Sequence, residues 1–100
     1  MAPLAVTVTH ALPDEEVLRR LHQRYDALKA AYGQHLDGLE EQWGDHELRC
    51  RFTSFGMRFS GSATVGASEV CVQLDLPLLA LAFKGMIERR IREELSAILA

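Results

Sequence analysis

The chain of 100 residues lacks any apolar run approaching the roughly 18 residues that a membrane-spanning helix needs. Basic charge is scarce as well. Its 11 Lys and Arg stand against 14 Asp and Glu, a net charge of −3, so there is no electrostatic footprint for nucleic acid. Residues 1–45 are the more acidic part and residues 46–100 are slightly basic, a mild split that a solvated surface explains. Only 2 cysteines occur, too few for a disulfide framework. Reduced thiols suit a cytoplasmic protein. The start, MAPLAVTVTH, has no basic leader and its apolar run is broken by Thr, so it does not read as a signal peptide.

The residue types for common chemistries are present but badly spaced. His10, His22, His35, His46, Cys50 and Cys71 show none of the metal-ligand spacings, so no metal is expected. GSATVG lacks the lysine and the strand–helix context of a phosphate loop. The paired acids Glu15-Glu16, Glu40-Glu41 and Glu93-Glu94 diverge on any regular element and cannot share a proton. Cys50 falls on an apolar face and Cys71 among neutral neighbours, so neither has the base and electropositive setting of a nucleophile. No catalytic residue and no cofactor is assigned, and the chain is expected not to be an enzyme.

What is present reads as one α+β domain spanning residues 1–100. Its 48% hydrophobic and 25% charged content is ordinary for a globular chain. Leu4–His10 alternates as a strand. Leu12-Pro13-Asp14-Glu15-Glu16 opens a helix with three acids against the positive end of its dipole. Val17, Leu21, Tyr25, Leu28 and Tyr32 form its stripe, and Gly33 is expected to stop it in the left-handed conformation. Residues 36–76 read as an antiparallel meander, with a type II′ turn at Trp43-Gly44-Asp45-His46, a four-residue link Thr53–Gly56 and a turn at Gly66–Glu69.

These turns predict inner rows Leu39–Cys50–Phe59–Leu76, Glu41–Leu48–Gly61–Leu74 and Trp43–His46–Ala63–Val72. On the outer face they place Glu40 opposite Arg49, and Arg51 opposite Arg58. Asp75-Leu76-Pro77 opens a second helix running to about Leu99, with a buried stripe of Leu79, Phe83, Ile87, Ile91, Leu95 and Ile98. The order β-α-β-β-β-β-α then lays two long helices on the apolar face of one antiparallel sheet, with the first strand beside either 70–76, the favoured side, or 37–43.

Three features bear on function. Arg49, Arg51 and Arg58 on the outer face form a candidate patch for an anion or an acidic partner, unless Asp75 and Glu40 neutralise them. Leu76–Phe83 is apolar all round, so Leu78, Leu79, Leu81 and Phe83 are a candidate contact surface for the other helix, a dimer mate or a hydrophobic body. Glu41 is the acid that points inward, where desolvation could raise its pKa, but its place on an edge strand favours a partly solvated rim carboxylate.

The segments VTHAL, WGDHELRCRF, FSGSATV, VCVQLDLP and FKGMIERRIREEL, together with the Leu/Tyr helix stripe, resemble the polyhydroxyalkanoic acid system proteins. These are small bacterial proteins associated with polyhydroxyalkanoate granules. The resemblance covers nearly the whole chain and is most specific over Leu76–Leu95. It implies a non-enzymatic accessory role in storage-polyester metabolism, with the granule surface or granule proteins as partners, and it brings no catalytic residues. The outline is also similar to helix-grip, lipid-binding folds. A small hydrophobic-ligand carrier is therefore the alternative function, with Gly61 and Ala63 leaving room beneath the helices.

Overall fold

The computed structural model describes residues 2–100. Its elements are β1 (Ala2–Thr9), α1 (Asp14–Tyr32), β2 (Asp37–Trp43), β3 (Glu47–Ser54), β4 (Met57–Val65), β5 (Glu69–Leu76) and α2 (Lys84–Leu99), with 3₁₀ turns at Gly33–His35 and Leu78–Phe83. The strands form one antiparallel sheet in the order β1-β5-β4-β3-β2. The first strand lies beside β5, the favoured of its two possible neighbours, pairing Leu4 with Leu74 and Val6 with Val72.

The core is lopsided. Val6, Val65 and Val70 of the sheet meet Val17 of α1 and Leu95 and Leu99 of α2. A second cluster joins Leu4 and Leu76 to Ala80. All of these belong to β1, β5, the end of β4 and the helices. Among the described residues, β2 and β3 contribute no buried apolar side chain. The helices sit over one half of the sheet and the other half is only partly roofed.

Strand faces follow the expected alternation, and β4 pairs with β5 in the predicted register, Ser60 with Asp75 and Ala63 with Val72. Cys50 and Cys71 are free and lie on opposite faces. Two hairpins depart from expectation by two residues. Ser54 pairs with Met57, so β3–β4 turns through Phe55-Gly56 alone rather than a four-residue link. Phe52 therefore opposes Phe59, Cys50 opposes Gly61, and Arg58 faces Thr53 instead of Arg51. At the other hairpin, Gly44 donates to the Glu47 carbonyl at 2.7 Å, which leaves Asp45-His46 as the loop and sets Trp43 against Leu48. Gly44 has no positive φ, so the expected type II′ turn does not form.

Both shifts preserve the faces, because a slip of two keeps every side chain on its side. The β3–β4 turn needs positive φ at both central residues. Gly56 supplies it freely at 74°, and Phe55 is forced into it at 52°. That strained phenylalanine is why the turn is hard to read from sequence.

The helices differ from expectation at their ends. Gly33 is right-handed, with φ −56°, and the chain continues into a 3₁₀ turn before β2. Leu78–Phe83 is a 3₁₀ helix, not the start of α2. At three residues per turn, six residues advance about 120° further than in an α-helix. Ala80 faces the sheet, buried at 6% exposure, and Leu79 turns outward; Phe83, at the end of the 3₁₀ helix, is exposed as well. Downstream, Ile87, Ile91, Leu95 and Ile98 keep the predicted inward side.

The left-handed Phe55 yields a stability test. A bulky residue in that region costs about 1–2 kcal/mol that asparagine largely avoids, and Phe55 is 85% exposed, so little packing is lost with it. Phe55→Asn is expected to stabilise the fold by about 0.5–1 kcal/mol, measured as a rise in the urea midpoint. A fall would contradict the turn geometry.

Candidate functional site

Because the core occupies one half of the sheet, an apolar cleft of about 480 Å³ remains between α1, α2 and the inner sheet face. Leu21, Tyr25 and Leu28 line it from α1, Ile91 and Ile98 from α2, and Trp43, Leu48, Ala63 and Val72 from the strands. Ala63 borders the space as expected. Gly61 borders it too, although Leu74 takes up part of the space its missing side chain frees, since a Cβ there would collide with Leu74 Cδ2.

The aromatic groups of the cleft are stacked into its β2 side. The Trp43 ring lies 3.6 Å from the His22 ring at 12°, and Tyr25 meets Trp43 edge-on at 5.7 Å. The Tyr25 hydroxyl is buried with no partner in hydrogen-bonding geometry. Burial first, and the neighbouring Glu41 second, push its pKa up, so it stays protonated. Burial also raises the Cys50 thiol, which favours an inert side chain over a nucleophile.

Charged groups join the helices along the cleft. Arg24 grips Glu94 with both nitrogens, at 2.8 and 2.9 Å. Arg90 reaches the same carboxylate at 3.2 Å. The Arg24 hydrogen bonds hold the Glu94 carboxyl below its ordinary range. Arg20 donates to the Ile98 and Ala100 carbonyls at 2.8 and 2.9 Å, a cation at the negative end of the α2 dipole. Along α2, Arg90 pairs with Glu94 and Arg92 with Glu88 one turn apart, the latter at 3.9 Å.

Glu41 is the rim carboxylate favoured for an edge strand and not a desolvated acid. It lies on the edge strand, exposed, with Lys29 Nζ at 3.1 and 3.2 Å, and that ammonium holds its carboxyl down. His46 is likewise in the turn rather than an inner row, 3.3 Å from Asp14. No cluster of three metal-ligating side chains occurs among the described residues.

The outer face carries a shallow polar trough of about 860 Å³, floored by Ala5, Ser60 and Ser62. Arg49 and Arg51 both line it, each held by a carboxylate. Arg51 pairs with Glu40 across the strands at 2.5 Å and Arg49 with Glu47 at 2.6 Å. Arg58, opposite Thr53, has no ion pair among the described residues. The expected Glu40–Arg49 pairing is replaced by Glu40–Arg51, a consequence of the two-residue shift.

The third feature is the 3₁₀ helix. Leu78, Leu79 and Phe83 are 72%, 78% and 54% exposed, Leu81 is 37% exposed, and Met86 adds another apolar side chain at the start of α2. All four candidate contact residues therefore face solvent in the single chain. Sequence reasoning found this segment from its surplus of leucine. It did not find the Arg24–Glu94 clasp, because residues 70 apart carry no periodic signal.

Sheet, helices, cleft and exposed apolar edge define a small α+β domain with two helices laid on one face of a five-stranded antiparallel sheet. No helix is long and apolar enough to cross a membrane among the described residues. Residues 4–99 match the family described as "Putative polyhydroxyalkanoic acid system protein", and the chain belongs to that family. It is thereby linked to the polyhydroxyalkanoate system. Among solved structures it is similar to TTHA0849 from Thermus thermophilus, at 15% identity and a TM-score of 0.43, over 98% of this chain and 92% of that one. No curated protein sequence matches it.

The carboxylates set the acid sensitivity of the fold. Arg19 and Arg20 on Glu16 depress its pKa from 4.5 to about 2, and Arg24 lowers that of Glu94. A depressed carboxyl contributes stability above its unfolded pKa and loses it as pH falls towards the folded value. The urea midpoint of the wild type is expected to drop between pH 4.5 and 2, and that of Glu16→Gln to drop less. Parallel declines would show that the Glu16 pairs contribute nothing.

Proposed function

We propose that the protein is a non-enzymatic accessory of the polyhydroxyalkanoate system that docks on the storage-polyester surface through its exposed 3₁₀ helix. The observation that carries this reading is the outward presentation of Leu78, Leu79, Leu81 and Phe83. A 3₁₀ helix has three side-chain rows, here Leu78–Leu81, Leu79–Ala82 and Ala80–Phe83. Among the residues of these rows, only Ala80 is buried. Large exposed apolar patches mark contact surfaces. Covering a large apolar side chain completely is worth about 1.5–3 kcal/mol, so three or four of them suffice to hold a small protein on an apolar body.

Lys84 and Arg89 flank the patch and have no ion pair among the described residues, which suits a surface with anionic or ester-oxygen character. The family link supplies the polyester as the hydrophobic body. The two free thiols suit work in the cytoplasm, where such thiols stay reduced.

Partitioning tests the reading. Purified protein mixed with amorphous polyhydroxyalkanoate granules is expected to sediment with them, and a Leu78→Asp, Leu79→Asp variant to remain in the supernatant by a factor of about ten or more, with unchanged circular dichroism. Equal partitioning would refute docking. A dimer buried through the same patch would instead give a concentration-dependent mass in sedimentation equilibrium that the variant abolishes, and would count against the polymer as occupant.

A further inference from the structure

We propose that the cleft between α1, α2 and the inner sheet face binds a medium-length carboxylic acid, its acyl chain on the apolar lining and its carboxylate at Arg90. This site is separate from the 3₁₀ patch, and either stands without the other. At about 480 Å³ the cleft falls within the roughly 300–1,000 Å³ of small-molecule sites. Its walls are largely carbon: leucines of α1, Trp43, Val72 and the isoleucines of α2. Such a lining accepts a hydrocarbon chain and offers little to a sugar or nucleotide.

The charged groups on the lining select the head. Glu47 is engaged by Arg49 at 2.6 Å. Between the helices, Arg24 and Arg90 share the single carboxylate of Glu94, which leaves one positive charge in excess. Arg24 is committed to both Glu94 oxygens, at 2.8 and 2.9 Å. Arg90 makes one longer contact, at 3.2 Å, and its side chain is 67% exposed. It is thus the guanidinium able to turn to a ligand without breaking the clasp that joins the helices. One spare cation matches a monoanion. An unbranched chain with its charge at one end places each part against its complement.

Trp43 is the chain's single tryptophan and lines the cleft, so it reports occupancy directly. Full-length protein titrated with decanoic acid at pH 7.5, below the acid's micelle-forming concentration, is expected to show a saturable change in Trp43 emission. Methyl decanoate should bind roughly threefold more weakly or worse, as an exposed ion pair implies, and Arg90→Gln should lose about the same factor for the acid and nothing for the ester. Ala63→Leu, which fills the cleft from β4, should remove the response while circular dichroism stays unchanged. Should Ala63→Leu misfold, Arg90→Gln still decides the matter, since it changes only an exposed helix position. The proposal is overturned by a flat titration, by equal affinity for acid and ester, by unaltered acid binding in Arg90→Gln, or by a dimer buried through the cleft that decanoic acid fails to dissociate.

Discussion

The structure depends on α2 lying across β1 and β5. Leu95 and Leu99 reach Val6, Val70 and Val17, and Ile87 and Ile91 reach the Leu4, Leu76 and Ala80 cluster. This one contact ties the chain's two ends together, because β1 and α2 are its first and last elements. It also concentrates burial. A 100-residue chain has only enough apolar surface for a modest core, and spending it at one side of the sheet leaves β2 and β3 without a buried apolar partner among the described residues.

The cleft and the clasp follow from that asymmetry. With α2 committed to β1 and β5, α1 must span the remaining gap, and it does so with long and aromatic side chains, Tyr25 and Leu28, rather than by close approach. The Trp43–His22 stack closes the β2 side. Between the helices the Arg24–Glu94 pair adds to the apolar contact of Val17 with Leu95 and Leu99. An ion pair this exposed contributes little stability by itself, but its two short hydrogen bonds fix the helix separation. The same arrangement that holds the helices apart is what leaves space between them and the sheet.

Sequence pattern revealed the faces and missed the offsets, for a physical reason. Period-two alternation in Leu48-Cys50-Phe52 and Val70-Val72-Leu74 reports which side of the sheet a residue takes, because burial enforces it. It reports nothing about sliding by two, since that keeps every face intact. Only turn chemistry fixes the offset, and here the turn uses Phe55 at a position where asparagine or glycine would have announced it. The candidate contact surface was legible because surplus leucine is compositional. The apolar cleft was legible in its two small residues, Gly61 and Ala63, which both line it, although Leu74 takes up part of the space at Gly61.

The 3₁₀ helix is the point at which local preference yields to tertiary demand. Leu-Leu-Ala-Leu-Ala-Phe is made of strong α-helix formers, and continuing the α2 spiral back to Pro77 would have placed Leu79 and Phe83 against the sheet. Leu76 is already fully buried as the last residue of β5, and Ala80 packs directly on it and on Leu4. A methyl group is the size the space at position 80 accepts; a leucine or phenylalanine at that position would overpack it. Tightening to three residues per turn puts Ala80 there and rotates Leu79 outward. The exposed apolar edge is thus a geometric consequence of seating a small residue on a finished core, and the chain retains leucine and phenylalanine at positions where polar residues would cost the fold nothing.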